Sequence, residues 1–531
     1  MDYKGTYIII GPPGTGKTTF LANQVRALVE KGHRPLVCSL TNAAANEIVG
    51  RDIPVPKERV GTLHSLGLHS LGGGRKLAQI GTWNEEHPSH LLSDDERDDV
   101  TQTRGKHPWD GFHQQYELCR HRRTPRDLWP RPAREFADIW EHWKVANDYV
   151  DFTDMIELAL LQQCAPLGDP DIIIADEAAD HSRLEYALLK HWGDMVGALM
   201  VCGDPHQAIY QWRGADPTIF IDPTVSQDHR RVLKQSYRVP KEVHRVAVEW
   251  VKQLSDYQPI EYLPRDFEGK VKRLPAHRNY PVPAINLAQE IVAGGKTVMI
   301  MASCEYMLQP TLHELRQRGI PFANPWRPAQ GAWNPLARRK GIIMTDRIRA
   351  LLSPPWTVGD FMAWSGVLSA EAIFNRGGKT ALEKLIQTKK ITAKDSLTKV
   401  MEVIDSDKLI PLGQLLQGGD AQGALDWWAA RITGSLKQRA EYPVQVARKK
   451  GIKALDDKPK LFVGTIHSYK GGEASIVIIY PDISPQAYEC WHHGTVHRDP
   501  IIRAFYVALT RAREEVYICQ PASPMSVRIQ L

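Results

Sequence analysis

Apolar residues along this chain cluster in short unbroken runs rather than alternating with polar ones. Thr6-Tyr7-Ile8-Ile9-Ile10 ends abruptly in Gly11-Pro12-Pro13-Gly14, and Pro35 to Leu40, Asp171 to Ala175 and Ala198 to Cys202 repeat the pattern. Runs without alternation belong to strands covered on both faces, as in a parallel sheet between layers of helices. A helix is predicted from Thr18 to about Lys31, which makes the first part α/β. From about Leu66 to Val150 the pattern changes to long polar stretches carrying Trp83, Trp109, Trp129, Trp140 and Trp143, and a mostly helical insertion is expected. A second set of apolar runs follows at 296–301, 461–463 and 475–479, with a helix near 308–318. About 130 residues rich in helix formers, from Pro325 to Lys458, interrupt that set. No short-period repeat or low-complexity tract occurs.

Composition narrows the class. The chain has 531 residues, 43% apolar and 24% charged, close to ordinary globular usage, which excludes disorder, collagen-like repeats and a disulfide scaffold as whole-chain descriptions. The net charge of +6 permits a polyanionic partner without demanding one. Seven scattered cysteines form no C-x-x-C pair, which fits a reducing compartment. No apolar run approaches the roughly 18 residues that span a bilayer, and no basic and hydrophobic leader precedes the first strand. A soluble chain, cytoplasmic or nucleoid-associated and not secreted, is expected.

One segment carries chemistry by itself. Gly11-Pro12-Pro13-Gly14-Thr15-Gly16-Lys17-Thr18 matches the phosphate-binding loop, and it lies between a predicted strand and a predicted helix. Its glycines let backbone amides turn toward an anion and the helix start adds positive potential; Lys17 reaches the outer phosphates and Thr18 can ligate magnesium. Such a loop needs a carboxylate site at the end of a neighbouring strand. Asp176-Glu177 supplies it, with Asp176 expected at the metal and Glu177 as general base for the attacking water.

The remaining segments fall in an order that resembles superfamily 1 helicases of the UvrD/Rep/PcrA-like group. Thr41-Asn42-Ala43-Ala44-Ala45 resembles motif Ia and Gly61-Thr62-Leu63-His64-Ser65 motif Ib. Asp151-Phe152-Thr153-Asp154-Met155 is similar to the acidic segment ahead of motif II, which is Asp176-Glu177-Ala178-Ala179-Asp180. The run from Gly203 through Gln207, Tyr210 and Trp212 to Ala215 resembles motif III, and Gln235-Ser236-Tyr237-Arg238 motif IV. Gly464-Thr465-Ile466-His467-Ser468-Tyr469-Lys470-Gly471-Gly472-Glu473 resembles motif V, and Tyr506 to Arg513 motif VI.

The resemblance implies two RecA-like P-loop domains, each with a mostly helical insertion. The first comprises 1–65 and 150–218 with its insertion at 66–149; the second comprises 219–325 and 459–531 with its insertion at 326–458. It implies ATP and Mg2+ as cofactors, with Gly11, Pro12, Pro13, Gly14, Thr15, Gly16, Lys17, Thr18 and Thr19 around the phosphates, Tyr237 on the adenine and Glu473 at the ribose. Gln207 would sense the γ-phosphate, and Arg238 and Arg511 would act as arginine fingers. Trp212 would stack on an unpaired base, a contact worth roughly 1–3 kcal/mol and indifferent to sequence. Tyr210, Thr41, Asn42, Thr62, His64, Thr465 and His467 would complete the strand groove.

The implied activity is ATP-dependent unwinding of DNA by 3′ to 5′ translocation on a single strand, with single-stranded DNA and duplex junctions as partners. RNA stays open as a strand, because stacking and backbone contacts distinguish it weakly. Alternatives are a translocase or nucleoprotein remodeller with little unwinding, or a nucleotide-gated binding switch. Two basic groups stand as candidates for duplex phosphates: Arg120, Arg122, Arg123, Arg126, Arg131 and Arg134, and Arg448-Lys449-Lys450 with Lys453, Lys458 and Lys460. Cys490, His492, His493 and His497 match no usual zinc spacing. Departures from the family are Ala179 where Gln is common, Leu40 where an aromatic often stands, and only ten residues ahead of Gly11 for the adenine-recognition segment.

Overall fold

The computed structural model describes residues 4–39, 53–93, 107–275, 280–327, 331–337 and 343–531. Thr41 and Asn42 lie outside them, as does Leu40. The chain forms two compact units, one of residues 1–276, 301–307 and 465–531, the other of 277–300 and 308–464. These divisions differ from the expected ones at 218 and 325.

The first unit is built on a six-stranded sheet of β1 (Gly5–Ile10), β2 (Pro35–Ser39), β3 (Val60–Thr62), β4 (Ile172–Ala175), β5 (Ala198–Gly203) and β6 (Arg230–Val232), in the order β3-β2-β4-β5-β1-β6. Every pairing is parallel. Successive residues of a strand point to opposite faces, and both faces are apolar here. Ile8, Leu36, Cys38, Ile173 and Val201 enter one core, whereas Ile9, Val37, Ile172, Ile174 and Met200 enter the other. That is why the runs show no alternation. Strand β6 joins this sheet beside β1, although 219–325 reads by sequence as part of the second domain.

Helix α1 (Lys17–Glu30) follows the phosphate loop and buries Leu21, Val25 and Leu28. Helix α2 (Arg183–Val196) starts in a reciprocal cap between Ser182 and Glu185, an arrangement that satisfies two otherwise orphan amides. The stretch 66–149 contains helices Asp110–His121 and Arg131–Asn147, and Trp83, Tyr116, Phe136, Trp140 and Trp143 form their own core. The same unit also holds β7 (Gln235–Pro240), β8 (Lys270–Arg273), β9 (Ala474–Ile479) and β10 (Ala512–Ile518), with β10 parallel to both β8 and β9. Helix α3 (Thr495–Leu509) leads into β10.

The second unit is largely helical among the described residues. Helices Val358–Ser365 and Ala421–Ala430 are fastened where Trp428 donates its indole N–H to the Trp364 carbonyl at 2.8 Å. Among the described residues no helix is long and apolar enough to cross a membrane.

Candidate active site

The phosphate loop leaves β1 as the sequence predicts. Gly14 and Gly16 hold φ of +73° and +77°, a region in which a side chain is strained, and no side chain caps the start of α1. A helix start of this kind offers its first amides to an anion. Thr15 closes the turn by donating to the Pro12 carbonyl at 2.8 Å. Lys17 folds back and donates to the Gly11 carbonyl at 2.9 Å, so its ammonium is held at the loop mouth. Thr18 is half-buried and Thr19 exposed at the first turn.

The loop is clasped from β7 and just beyond. The Tyr237 amide donates to the Gly14 carbonyl at 2.8 Å, and the Ser236 hydroxyl and the Tyr262 phenol both donate to the Pro13 carbonyl at 2.9 Å. A Cβ on Gly14 would stand 2.8 Å from Ser236 Oγ and 2.5 Å from Arg238 Cβ, so the clasp requires glycine. The Tyr237 ring itself is 68% exposed, open to a flat partner.

At the end of β4, Asp176 is buried and Glu177 adopts φ of +52°. Burial alone would raise the Glu177 carboxyl, but Lys17, Lys470, Arg511 and Arg238 outweigh it and hold it below the usual range. Those four cations come from the phosphate loop and from motifs V, VI and IV respectively. Arg511 is 2% exposed, and burial, then Arg238, push its guanidinium down to about 9, still cationic at neutral pH. It donates to Gln207 Oε1 at 2.6 Å and to the Val507 carbonyl at 3.0 Å. Gln207 in turn donates to Asp204 Oδ2 at 2.6 Å. Arg238 is bound to Glu473 Oε2 at 2.7 Å, and Arg513 to Glu473 Oε1 at 2.5 Å. An arginine-finger candidate and the ribose-side candidate thus meet at the carboxylate of Glu473.

Two residues escaped the sequence reading although they lie inside quoted motifs. Lys470 pairs with Asp180 and donates to the Gln207 carbonyl at 2.7 Å, and it lies 5.5 Å from the centre of the Tyr210 ring. Burial raises the Asp180 carboxyl and Lys470 opposes it. Opposite charges 290 positions apart give no local signal.

Strand-side candidates divide. Tyr210, Trp212 and His467 stand together, with ring centres of Tyr210 6.4 Å from Trp212 and 6.1 Å from His467. His64 lies edge-on to Phe152 at 6.1 Å, and Phe152 is 59% exposed. Thr62 accepts the Ser65 amide at 3.2 Å and caps a helix start. Thr465 and His467 are buried, and Thr465 accepts the Ser468 amide at 3.3 Å. Both side chains are enclosed: Thr465 shapes a turn, and the His467 ring lies tilted beside that of Tyr210.

The arginine-rich group is corrected at Arg120. Arg120 is buried among Asp151, Asp154, Glu157 and Glu117, Arg126 pairs with Glu141 and Arg131 with Glu135. Arg120 thus serves the fold rather than a phosphate, whereas Arg126 and Arg131 form exposed surface pairs.

Thr18 and Asp176 are hard oxygen donors, and no group of three or more His, Cys, Asp or Glu side chains able to hold a metal occurs among the described residues. That set suits magnesium, which takes one or two protein oxygens and completes its shell with phosphates and water.

A loop of this geometry on a parallel sheet, with acids at the end of β4, one strand removed from β1, and with Arg238 and Arg511 acting on Glu177, defines a P-loop nucleotide-binding protein of RecA-like α/β class. Residues 1–226 match the family model of the UvrD/REP helicase N-terminal domain. It is 35% identical over 99 residues to the ATP-dependent DNA helicase PcrA of Bacillus subtilis, covering 18% of this chain and 13% of that one. It is 25% identical over 303 residues to a probable DNA helicase II homolog of Mycoplasma genitalium, 48% and 42% of the two chains. With the ATP-dependent DNA helicase srs2 of Schizosaccharomyces pombe it shares 24% over 299 residues, 47% and 33%. The matched stretches span less than half the length of these curated relatives.

Proposed function

We propose that this chain is an ATP-driven DNA helicase motor that steps 3′ to 5′ along a single strand and separates the duplex ahead of it. The observation that carries the reading is the clasp of the Ser236-Tyr237-Arg238 segment on the phosphate loop, with the Tyr237 amide donating to the Gly14 carbonyl and the Ser236 hydroxyl to the Pro13 carbonyl, while Arg511 holds Gln207 at 2.6 Å. Phosphoryl transfer to water needs a base held ionised beside the attacking oxygen and cations where charge develops on the γ-phosphoryl oxygens. Glu177 fills the first role, and Lys17, Arg238 and Arg511 fill the second. Magnesium, bound by Thr18 and Asp176, would neutralise phosphate charge and orient the leaving group.

Coupling follows from the same contacts. Arg511 holds Gln207, and Gln207 opens the segment that runs through Tyr210 to Trp212. A γ-phosphate that draws Arg511 away releases Gln207 and so shifts the turn on which a base stacks. Phosphate release with and without an oligonucleotide, alongside unwinding of 3′-tailed, 5′-tailed and blunt duplexes, tests the reading. It requires strand-stimulated hydrolysis and unwinding of the 3′-tailed substrate, and an RNA oligonucleotide in the same assay reads strand preference.

A second reading, a translocase with little unwinding, is favoured by one observation. Ala179 is buried in the apolar core, so no polar side chain at that position joins the nucleotide site to the strand side. Robust strand-stimulated hydrolysis without separation of any tailed duplex would select it.

A further inference from the structure

Behind the turn that carries Trp212 lies a buried polar cluster centred on Glu185, in the first turn of α2. Its side chain is fully buried. Oε1 accepts from Arg213 Nη2 at 2.9 Å and lies 3.7 Å from His64 Nε2. Oε2 accepts the Ser182 amide at 2.7 Å and stands 3.8 Å from His181 Nδ1. His121, at the end of its helix, brings Nδ1 to 3.0 Å from Ser182 Oγ. Its Cβ would stand 2.7 Å from a Cβ on Gly214, whose φ is +100°. Side chains from motifs Ib and III and from the segment just after motif II therefore meet at one carboxylate, with His121 joined to it through Ser182.

The charges sort themselves by environment. Burial would raise the Glu185 carboxyl, but Arg213 and then His181 hold it well below the usual range. Burial depresses both His64, to about 4, and His121. At neutral pH the Glu185 anion thus faces the Arg213 guanidinium with His64 and His121 neutral beside it. A buried carboxylate whose cation is removed is strongly destabilised, so Glu185 pins Arg213 in place. The Arg213 side chain nevertheless keeps 32% of its surface in solvent, immediately after Trp212. Capping α2 does not require this charge, since glutamine serves the same cap.

We infer that Glu185 is a positioning residue for strand binding: it fixes the Arg213 guanidinium, with His64 beside it, so that the free N–H groups of Arg213 meet a backbone phosphate next to the base on Trp212. This rests on the helicase reading above. Glu185 touches neither nucleotide nor strand and acts through Arg213.

The test measures binding of a fluorescein-labelled oligo-dT to the full chain by anisotropy, across a salt series, for Glu185→Gln, Arg213→Ala and the double variant. Glu185→Gln keeps the volume and the helix cap and removes the charge. It should weaken binding about tenfold, as should Arg213→Ala, and the double variant should bind no more weakly than Arg213→Ala alone. In each, the slope of log affinity against log salt should fall by roughly 0.7, the share of one single-strand phosphate. A change of fold alone would not move that slope by one contact. Wild-type affinity in Glu185→Gln, or effects that multiply in the double variant, would overturn the inference. If Glu185→Gln does not fold, Glu185→Asp carries the test: it keeps the charge, withdraws it by one methylene, and should weaken binding only when Arg213 is present. A wild-type chain that binds no oligonucleotide would instead refute the helicase reading itself, which separates the two failures.

Discussion

The guanidinium of Arg511 donates to the side-chain oxygen of Gln207 at 2.6 Å across 304 positions of sequence. On the proposed function, removing either partner differs from removing Lys17, because Lys17 would grip the bound phosphates whereas Arg511 would meet charge that develops in the transition state. Lys17→Ala should abolish turnover and weaken ATP binding at least tenfold. Arg511→Ala should bind a fluorescent ATP analogue within about threefold of wild type and lose about 10³-fold in strand-stimulated kcat, the order seen when an arginine finger is absent. Normal hydrolysis by Arg511→Ala would dismiss the assignment.

Closure of β7 onto the phosphate loop depends on the missing side chain at Gly14. Alanine there meets Ser236 and Arg238 as well as an unfavourable φ of +73°. Gly32 has a similar φ of +88° but open space around it, so it isolates the conformational cost of about 1–2 kcal/mol. Gly14→Ala should lower strand-stimulated kcat at least tenfold, while Gly32→Ala lowers only the melting temperature. Equal kinetics in the two variants would show that the clasp is dispensable.

Much of this site was legible because its parts are local. The strand, the glycine turn and Lys17 occupy one continuous segment, and Asp176-Glu177 follows an unbroken apolar run. Pairings between distant segments were not legible: Lys470 with Asp180 and Arg213 with Glu185 are set by the packing of strands and helices, not by spacing. Arg120 shows the opposite failure. A run of arginines reads as a basic face, yet the aromatic core around Tyr116 and Trp140 draws Arg120 inward, where Asp151 and Asp154 meet it.

That burial gives a stability prediction. Arg120 and Lys144 share Asp151 and Asp154; burial would raise Asp151, and the two cations hold it down. Arg120→Ala leaves Lys144 as the one remaining cation on both carboxylates and should cost about 3–5 kcal/mol. Arg134, exposed on the next helix, should tolerate alanine within about 0.5 kcal/mol. Urea midpoints of the two variants check this, and comparable midpoints would mean that the buried network contributes little.

His64 makes the first unit sensitive to acid. Burial lowers its pKa from 6.5 to about 4, with Glu185 opposing, Arg213, His121 and His181 adding to the depression. The folded chain therefore binds fewer protons at this site than the unfolded chain between those two values, and stability falls as pH drops through that window. From pH 7.5 to 5.5 the unfolded histidine becomes mostly protonated while the folded one stays neutral, a loss of about 1.4 kcal/mol. His121 is depressed as well and acts with the same sign, so the contribution of His64 has to be read as a difference. His64→Asn, which removes the titrating group, should lose about 1.4 kcal/mol less than wild type over that interval in urea unfolding at the two pH values. Identical losses in both chains would place the acid sensitivity elsewhere and mean that His64 is not held neutral beside Glu185.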